Sequence, residues 1–590
     1  MKLKSLLFVF MNLLLAGTLI AQEDIIVIPG GATNAGLLEA TINGDTTATG
    51  ERVNPNRIYE LEAGSFYIEQ GPLVVNNPDG VLTIRGQQGG PKPVILKVPL
   101  NEVAIGQSDI NSSINFFNIQ YENMETSSAL PWITFNISGD NHHIWIEDCL
   151  IENCMGIIFN GGNITNGCKI TLRNNYWRDL NDFSQWWGAR AAECKNDIDS
   201  LIIENNTFTG GGLTFLSQES MTDVAIINHN TFVNNHKYPF LNQYWRELYF
   251  TNNLWVNVNM VGEDMENVAT GGQDPDALMH GIFGVDTIEL GINIADRFMN
   301  GDVLSDEVDE ISDYIIYCAD NVLVYSNTLD NYYNGTVDGV WDDAPASYLT
   351  WGGVEGPFRV VNVPGIWENS RTAALVADWD NIKEENNSIY EMTVDDLGLG
   401  TDPLPQDAAD VFIEWNRAQW GVPDVVAPTD FTAYYFGDHD PMTVPGVETE
   451  NSTSGGITKI SDMLEDFSYS ADLKSKSDLL RIGALHWNDE AFDAAASLAS
   501  VKDAYNGIYP TSVKPIKGET LVVYPNPARD VIRVKGAINV DITIINVDGR
   551  IVRSVKNVSS VNVSDLSRGL YTVTIKDGNN ISTQKLLISE

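Results

Sequence analysis

The sequence predicts an all-β chain: a right-handed parallel β-helix, then a mixed covering region, then a small C-terminal β-sandwich. Three observations predict it. A β-rich run ending in an Asn knot, an aromatic and a turn occurs four times between His142 and Asn257: 170–177 (ITLRNNYW), 201–208 (LIIENNTF), 224–232 (VAIINHNTF) and 248–255 (LYFTNNLW). The second Asn of each knot falls at Asn175, Asn206, Asn230 and Asn253, at spacings of 31, 24 and 23 residues. The last 70 residues carry their own ordered set of strand and turn motifs.

A near-constant period in this range marks stacked repeats, each a coil that buries its apolar face only against its neighbours. Asn suits such a coil because it tolerates the left-handed bend, and its amide can bond the Asn above and below. A β-sandwich with Asn-rich turns is the alternative, but sandwich strands recur at about 8–12 residues with hairpins between them.

The elements follow in order. Residues 1–21 read as a secretory signal peptide, with Lys2 and Lys4 before the apolar run Leu6 to Ile20. That run is short for a span of about 20 apolar residues, so no transmembrane anchor is expected in the mature protein. Residues 22–350 are assigned to the β-helix. Strand-like alternation at 57–68 and 81–86 begins it, the four repeats form its centre, and 314–317 and 322–328 resume it after an acidic excursion. An excursion of this kind is expected on the lateral, binding face of a solenoid. Residues 351–510 form a mixed region with helices at 406–420 and 489–506, and 477–487 resembles a segment that closes secreted β-helices. This region covers the solenoid's open end or stands as a separate domain. A linker, 511–520, leads to the terminal domain, 521–590.

Composition excludes some functions. The chain has 80 acidic against 35 basic residues and a net charge of −45. A nucleic-acid partner needs a basic face, and acidic polysaccharides would be repelled unless a cation intervenes. Five cysteines (Cys149, Cys154, Cys168, Cys194 and Cys318) are too few for a disulfide scaffold. Buried thiols are expected, with a bridge between neighbouring coils as the alternative. None has zinc-type spacing.

The terminal motifs are 523–530 (VYPNPARD), 544–550 (IINVDGR), 565–571 (DLSRGLY) and 585–588 (KLLI). They resemble the type A C-terminal sorting domain of the bacterial type IX secretion system. The resemblance implies a partner in that machinery and export across the outer membrane. It also implies loss of the domain and then release or attachment at the cell surface.

Residues 142–149 (HHIWIEDC) resemble a strand of pectate lyases, and the family's order of motifs continues to Asn257, about a fifth of the chain. In that family carboxylates hold calcium, the calcium acidifies a sugar C–H, and a basic side chain removes the proton. Glu147 falls where the first acid belongs. The second motif reads 155–159 (MGIIF), with both acids replaced by apolar residues, so the family's calcium site is degraded; no cofactor is expected, with calcium as the alternative. In the base motif, 237–242 (KYPFLN), Lys237 stands at the catalytic arginine's position and Asn242 replaces the second arginine.

The candidate site residues are therefore Lys237 as base, and Arg190, Arg246, Trp186 and Trp245 as substrate-binding residues. Arg forks hold anions and aromatic rings stack on sugars. Glu147 is a minor metal candidate. A lysine in a loop, or tryptophans packed in the core, would explain the same residues without a site. The expected protein is a secreted or cell-surface monomer acting on or binding polysaccharide, as a divergent polysaccharide lyase or as a non-catalytic carbohydrate-binding or adhesive protein.

Overall fold

A computed structural model of the chain describes residues 23–97, 105–123, 132–152, 156–178, 180, 189–235, 240–258, 260, 315–319, 321–333, 350–351, 354–355, 382–384, 389–393, 404, 409–414 and 482–485. In the terminal segment it describes 522–524, 528–529, 531–535, 540–546, 550–558, 560–564, 566–577 and 580–588. The signal peptide, most of the acidic excursion, the helix expected at 489–506 and the linker lie outside these residues. The chain forms two units, 1–492 and 493–590.

The first unit is a parallel β-helix. Its ladders run coil to coil and define three faces. Face 1 contains Ile133–Gly139, Ile157–Ile164 and Arg190–Glu193. Face 2 contains His143–Glu147, Cys168–Arg173 and Ile198–Glu204. Face 3 is a ten-stranded sheet that includes Leu150–Glu152, Tyr176–Arg178, Thr207–Thr209, Thr231–Val233 and Leu254–Val256. The chain passes from face 2 to face 3 through the Asn knot. It then crosses to face 1 and returns to face 2. Parallel crossovers of this kind are right-handed almost without exception.

The knots divide the work between their two residues. The first residue takes the left-handed turn: Asn118, Asp148, Asn174, Asn205, His229 and Asn252 all have φ between 54 and 57°. The second builds a buried amide ladder. The Nδ2 groups of Asn175, Asn206 and Asn230 each donate to the next Oδ1 at 3.0 Å, and Asn253 donates to Asn321 at 2.9 Å. Each Oδ1 also accepts the preceding knot's backbone N–H, so the turn's orphan donors are satisfied by the stack itself. The ladder starts where Cys149 N–H bonds Asn175 Oδ1 at 2.9 Å. Asn321, 68 residues beyond Asn253, is a rung that periodicity did not reveal.

Inside the helix the aromatic of each repeat stacks on the next. Trp177, Phe208, Phe232 and Trp255 form one column, with centroids 5.8, 5.0 and 4.1 Å apart and rings within 7° of parallel. At the N-terminal end the helix Leu37–Gly44 puts Leu38 and Ile42 into the core. Parallel pairing continues past residue 350. Ile382–Glu384 extends face 2 and Ile389–Thr393 extends face 3, so coils run into the region assigned from sequence to a covering segment. Residues 409–414 are helical, with Phe412 buried, within the helix expected at 406–420. Of the expected closing segment, 482–485 is described. It lies along the turn stack, with Gly483 N–H on Asn252 O at 2.8 Å and Ala484 N–H on Thr231 Oγ1 at 2.9 Å.

Cys149, Cys168 and Cys194 are buried free thiols. Cys168 and Cys194 stand 3.5 Å apart, sulfur to sulfur. Burial pushes the Cys149 thiol up to about 12. The thiol–thiol hydrogen bond with Cys194, then burial, raises Cys168. Because all three thiols are buried away from reagent, these cysteines should alkylate at least about tenfold more slowly in the native protein at pH 8 than in urea. Mass spectrometry of the labelled peptides measures this, and equal rates would contradict the packing.

The second unit is an antiparallel β-sandwich. One sheet holds Val522–Tyr524, Val531–Lys535 and Ser560–Asn562. The other holds Val540–Ile545, Ile551–Val558, Gly569–Asp577 and Asn580–Ile588. Ile532, Ile542, Ile544, Val573, Ile575 and Leu586 fill the space between the sheets.

Candidate ligand-binding face

Face 1 carries a connected row of polar side chains on its outer side. Asn160 Nδ2 and Asn163 Nδ2 donate to Asn136 Oδ1 at 3.0 and 2.9 Å. Asn136 Nδ2 donates to Asp109 Oδ1 at 2.9 Å, which also accepts from Gln107 at 2.7 Å. The row steps along the helix axis by one strand spacing, about 4.8 Å, per coil. Asn163 and Asp109 are exposed at its ends, so it offers donors and acceptors to solvent.

At the start of the same face, Arg190 lies one strand from Ile157 in register. Its side chain is buried and its Nε meets Glu193 Oε2 at 2.8 Å. Lys195, more exposed, reaches the other oxygen of Glu193 at 3.2 Å. The Arg190 guanidinium also sits 5.8 Å from the centroid of the Trp132 ring. Trp132 is 37% exposed. Sequence reasoning missed it. It falls outside the repeated motif, and its only signal is a tryptophan after Pro131, just ahead of a strand-like run.

The other candidates are placed as follows. Arg246 lies in Phe240–Thr251, pairs with Asp223 at 3.5 Å and is 37% exposed. Trp245 lies in the same strand as Arg246, and its backbone is in register with Thr222 of the neighbouring strand Leu213–Asn228. Trp186 and Lys237 lie outside the described residues. The residues flanking them, Leu180 with Ala189 and Asn235 with Phe240, stand where the chain passes from face 3 to face 1.

Glu147 is on face 2, so the helix does not bring it to Arg190 on face 1. Its Oε2 accepts the Trp145 indole N–H at 2.8 Å and lies 3.8 Å from Arg173, which also pairs with Glu204 at 3.2 Å. Burial raises its pKa, against the hydrogen bond from Trp145 and the charge of Arg173. Asp148 is not beside it on the strand but occupies the left-handed turn. Phe159, at the second motif's acid position, is in the core, stacked on Phe135 at 5.2 Å. Glu147 therefore acts as a rung in a face 2 ion ladder, and these residues do not fit a calcium site of the lyase kind. Among the described residues no three His, Cys, Asp or Glu side chains gather as a metal site. His143, stacked on Trp145 and bonded to Thr171 at 2.9 Å, is held to a pKa of about 4 by burial. It is therefore neutral at pH 7.

A comparison with family models decides what the second unit is. Residues 522–589 match the secretion system C-terminal sorting domain. The sorting domain directs the chain across the outer membrane to the cell surface or extracellular space, as its four ordered motifs implied. A comparison with curated proteins finds no match. No helix among the described residues is long and apolar enough to cross a membrane.

Proposed function

We propose that the exported β-helix binds polysaccharide along face 1. One observation carries this reading: exposed Trp132, with Arg190 over its ring, stands at the edge of a row of outward amides and a carboxylate. An indole face stacks on the C–H face of a sugar, and a line of fixed donors and acceptors matches its hydroxyls. Rigid strands hold such groups at fixed spacing without an ordering cost on binding.

Affinity electrophoresis against a panel of neutral and acidic polysaccharides tests it. At least one polymer should retard the protein, and Trp132→Ala should weaken that binding by about tenfold, equivalent to about 1.4 kcal/mol. Retardation by no polymer, or unchanged binding in Trp132→Ala, would overturn the proposal.

Cleavage is a second reading. It rests on the pectate-lyase-like order of motifs and on Lys237 at the base position. Of the two arginines proposed to hold an anionic substrate group, Arg246 keeps the more exposed side chain, 37% against 5% for Arg190. The described acids do not fit calcium, so no step is assigned to a metal. Absorbance from unsaturated product, lost in Lys237→Ala, would support cleavage with Lys237 as base.

A further inference from the structure

A shallow cleft of about 590 Å³ opens on the early coils, lined by Glu60, Arg85, Gly86, Gln87, Gln88 and Phe117. Its volume lies within the range of small-molecule sites. Glu60, Arg85 and Phe117 are consecutive rungs of face 2, in register from coil to coil, so the cleft is on a different face from Trp132 and Arg190.

Its polar groups are held in place. Arg85 Nε donates to Glu60 Oε2 at 3.0 Å, and its Nη2 meets both Glu60 and Glu23 at 2.9 Å. Gln87 Nε2 donates to Glu60 Oε1 at 3.2 Å. Gly86 brings the backbone close: a Cβ there would sit 2.2 Å from Asn118 O. Phe117 supplies an apolar wall. Its ring packs edge to face on Trp145, centroids 5.4 Å apart at 85°, and Trp145 is fixed by its bond to Glu147.

We infer that this cleft is a second carbohydrate site, and that it takes a neutral sugar ring. The ring's C–H face would lie on Phe117 while its hydroxyls meet the Arg85, Gln87 and Glu60 fork. Two carboxylates, Glu23 and Glu60, surround one guanidinium, so the fork is net negative and disfavours a uronate or sulfated sugar. The site stands whether or not face 1 binds a polymer, because no residue is shared.

Calorimetric titration of the secreted protein with gluco-, manno-, galacto- and xylo-oligosaccharides, and with oligogalacturonate as the acidic comparator, tests the inference. One neutral series should bind saturably, and oligogalacturonate should not displace it. Phe117→Ala should weaken that binding by about fivefold or more, and Trp132→Ala should leave it unchanged. Gln87→Ala, at the half-buried rim, should also weaken it and keeps the test independent of Phe117 packing. Absence of neutral binding, binding unchanged in both cleft variants, binding lost in Trp132→Ala, or equal competition by oligogalacturonate would each overturn it.

Discussion

Asn230→Ala is expected to destabilise the β-helix by about 3–5 kcal/mol, because it removes four buried hydrogen bonds at about 1 kcal/mol each and takes from the Asn206 backbone N–H its Oδ1 acceptor. Asn230 is fully buried at the centre of the amide ladder. Its Oδ1 accepts both the backbone N–H and the Nδ2 of Asn206, each at 3.0 Å. Its Nδ2 donates to Asn253 Oδ1 at 3.0 Å and to Ile203 O at 2.8 Å. Alanine removes all four bonds. Because each coil is stabilised by its neighbours, the loss falls on the two coils that meet at this rung. The shift of the urea unfolding midpoint reads the effect. Asn163→Ala, at an exposed amide of face 1, should stay within about 0.5 kcal/mol of the parent. Equal midpoints for the two variants would show that the ladder does not hold the turns.

Deletion of 521–590 is expected to abolish export. The match at 522–589 covers the terminal sandwich. That sandwich has its own core, in which Ile542, Ile544, Val573 and Leu586 are fully buried. The β-helix buries its apolar residues in a separate cluster. Removing the terminal unit should therefore leave the helix folded but retained in the periplasm. Immunoblots of culture fluid, surface and periplasmic fractions measure this, and undiminished surface or culture-fluid levels would contradict it.

The scaffold was legible because its physics is periodic. A knot that must satisfy a left-handed bend and a buried amide recurs with the coil, and Asn175, Asn206, Asn230 and Asn253 announce it. Asn321 was hidden because the intervening chain breaks the period, although it bonds Asn253 as the others bond each other. The helix Leu37–Gly44 was hidden for a different reason. Its N-cap is Gly36, with no side-chain cap bond, so it lacks the usual start signal.

The candidate site was less legible. A coil has three strands, and a motif gives the type of a residue without giving its face. Glu147 keeps the acid of the first lyase-like motif, yet its strand belongs to face 2, where Trp145 and Arg173 engage it. Arg190 is on face 1 as a groove would require, but Glu193 shares its charge. That pairing is three residues along a strand, which simple alternation would place on opposite sides. Trp132 carries no motif, and only the fold reveals it at the edge of the polar row.

On our proposal the parallel β-helix presents a glycan-binding row on face 1. A crystal structure of the exported protein soaked with an oligosaccharide that retards it tests this most directly. The expected result is continuous density for sugar rings against Trp132 and along Asn136, Asn160 and Asn163, on a helix with the Asn175-to-Asn321 ladder intact. An antiparallel sandwich in place of the helix, or a glycan bound away from face 1 with Trp132 untouched, would contradict it.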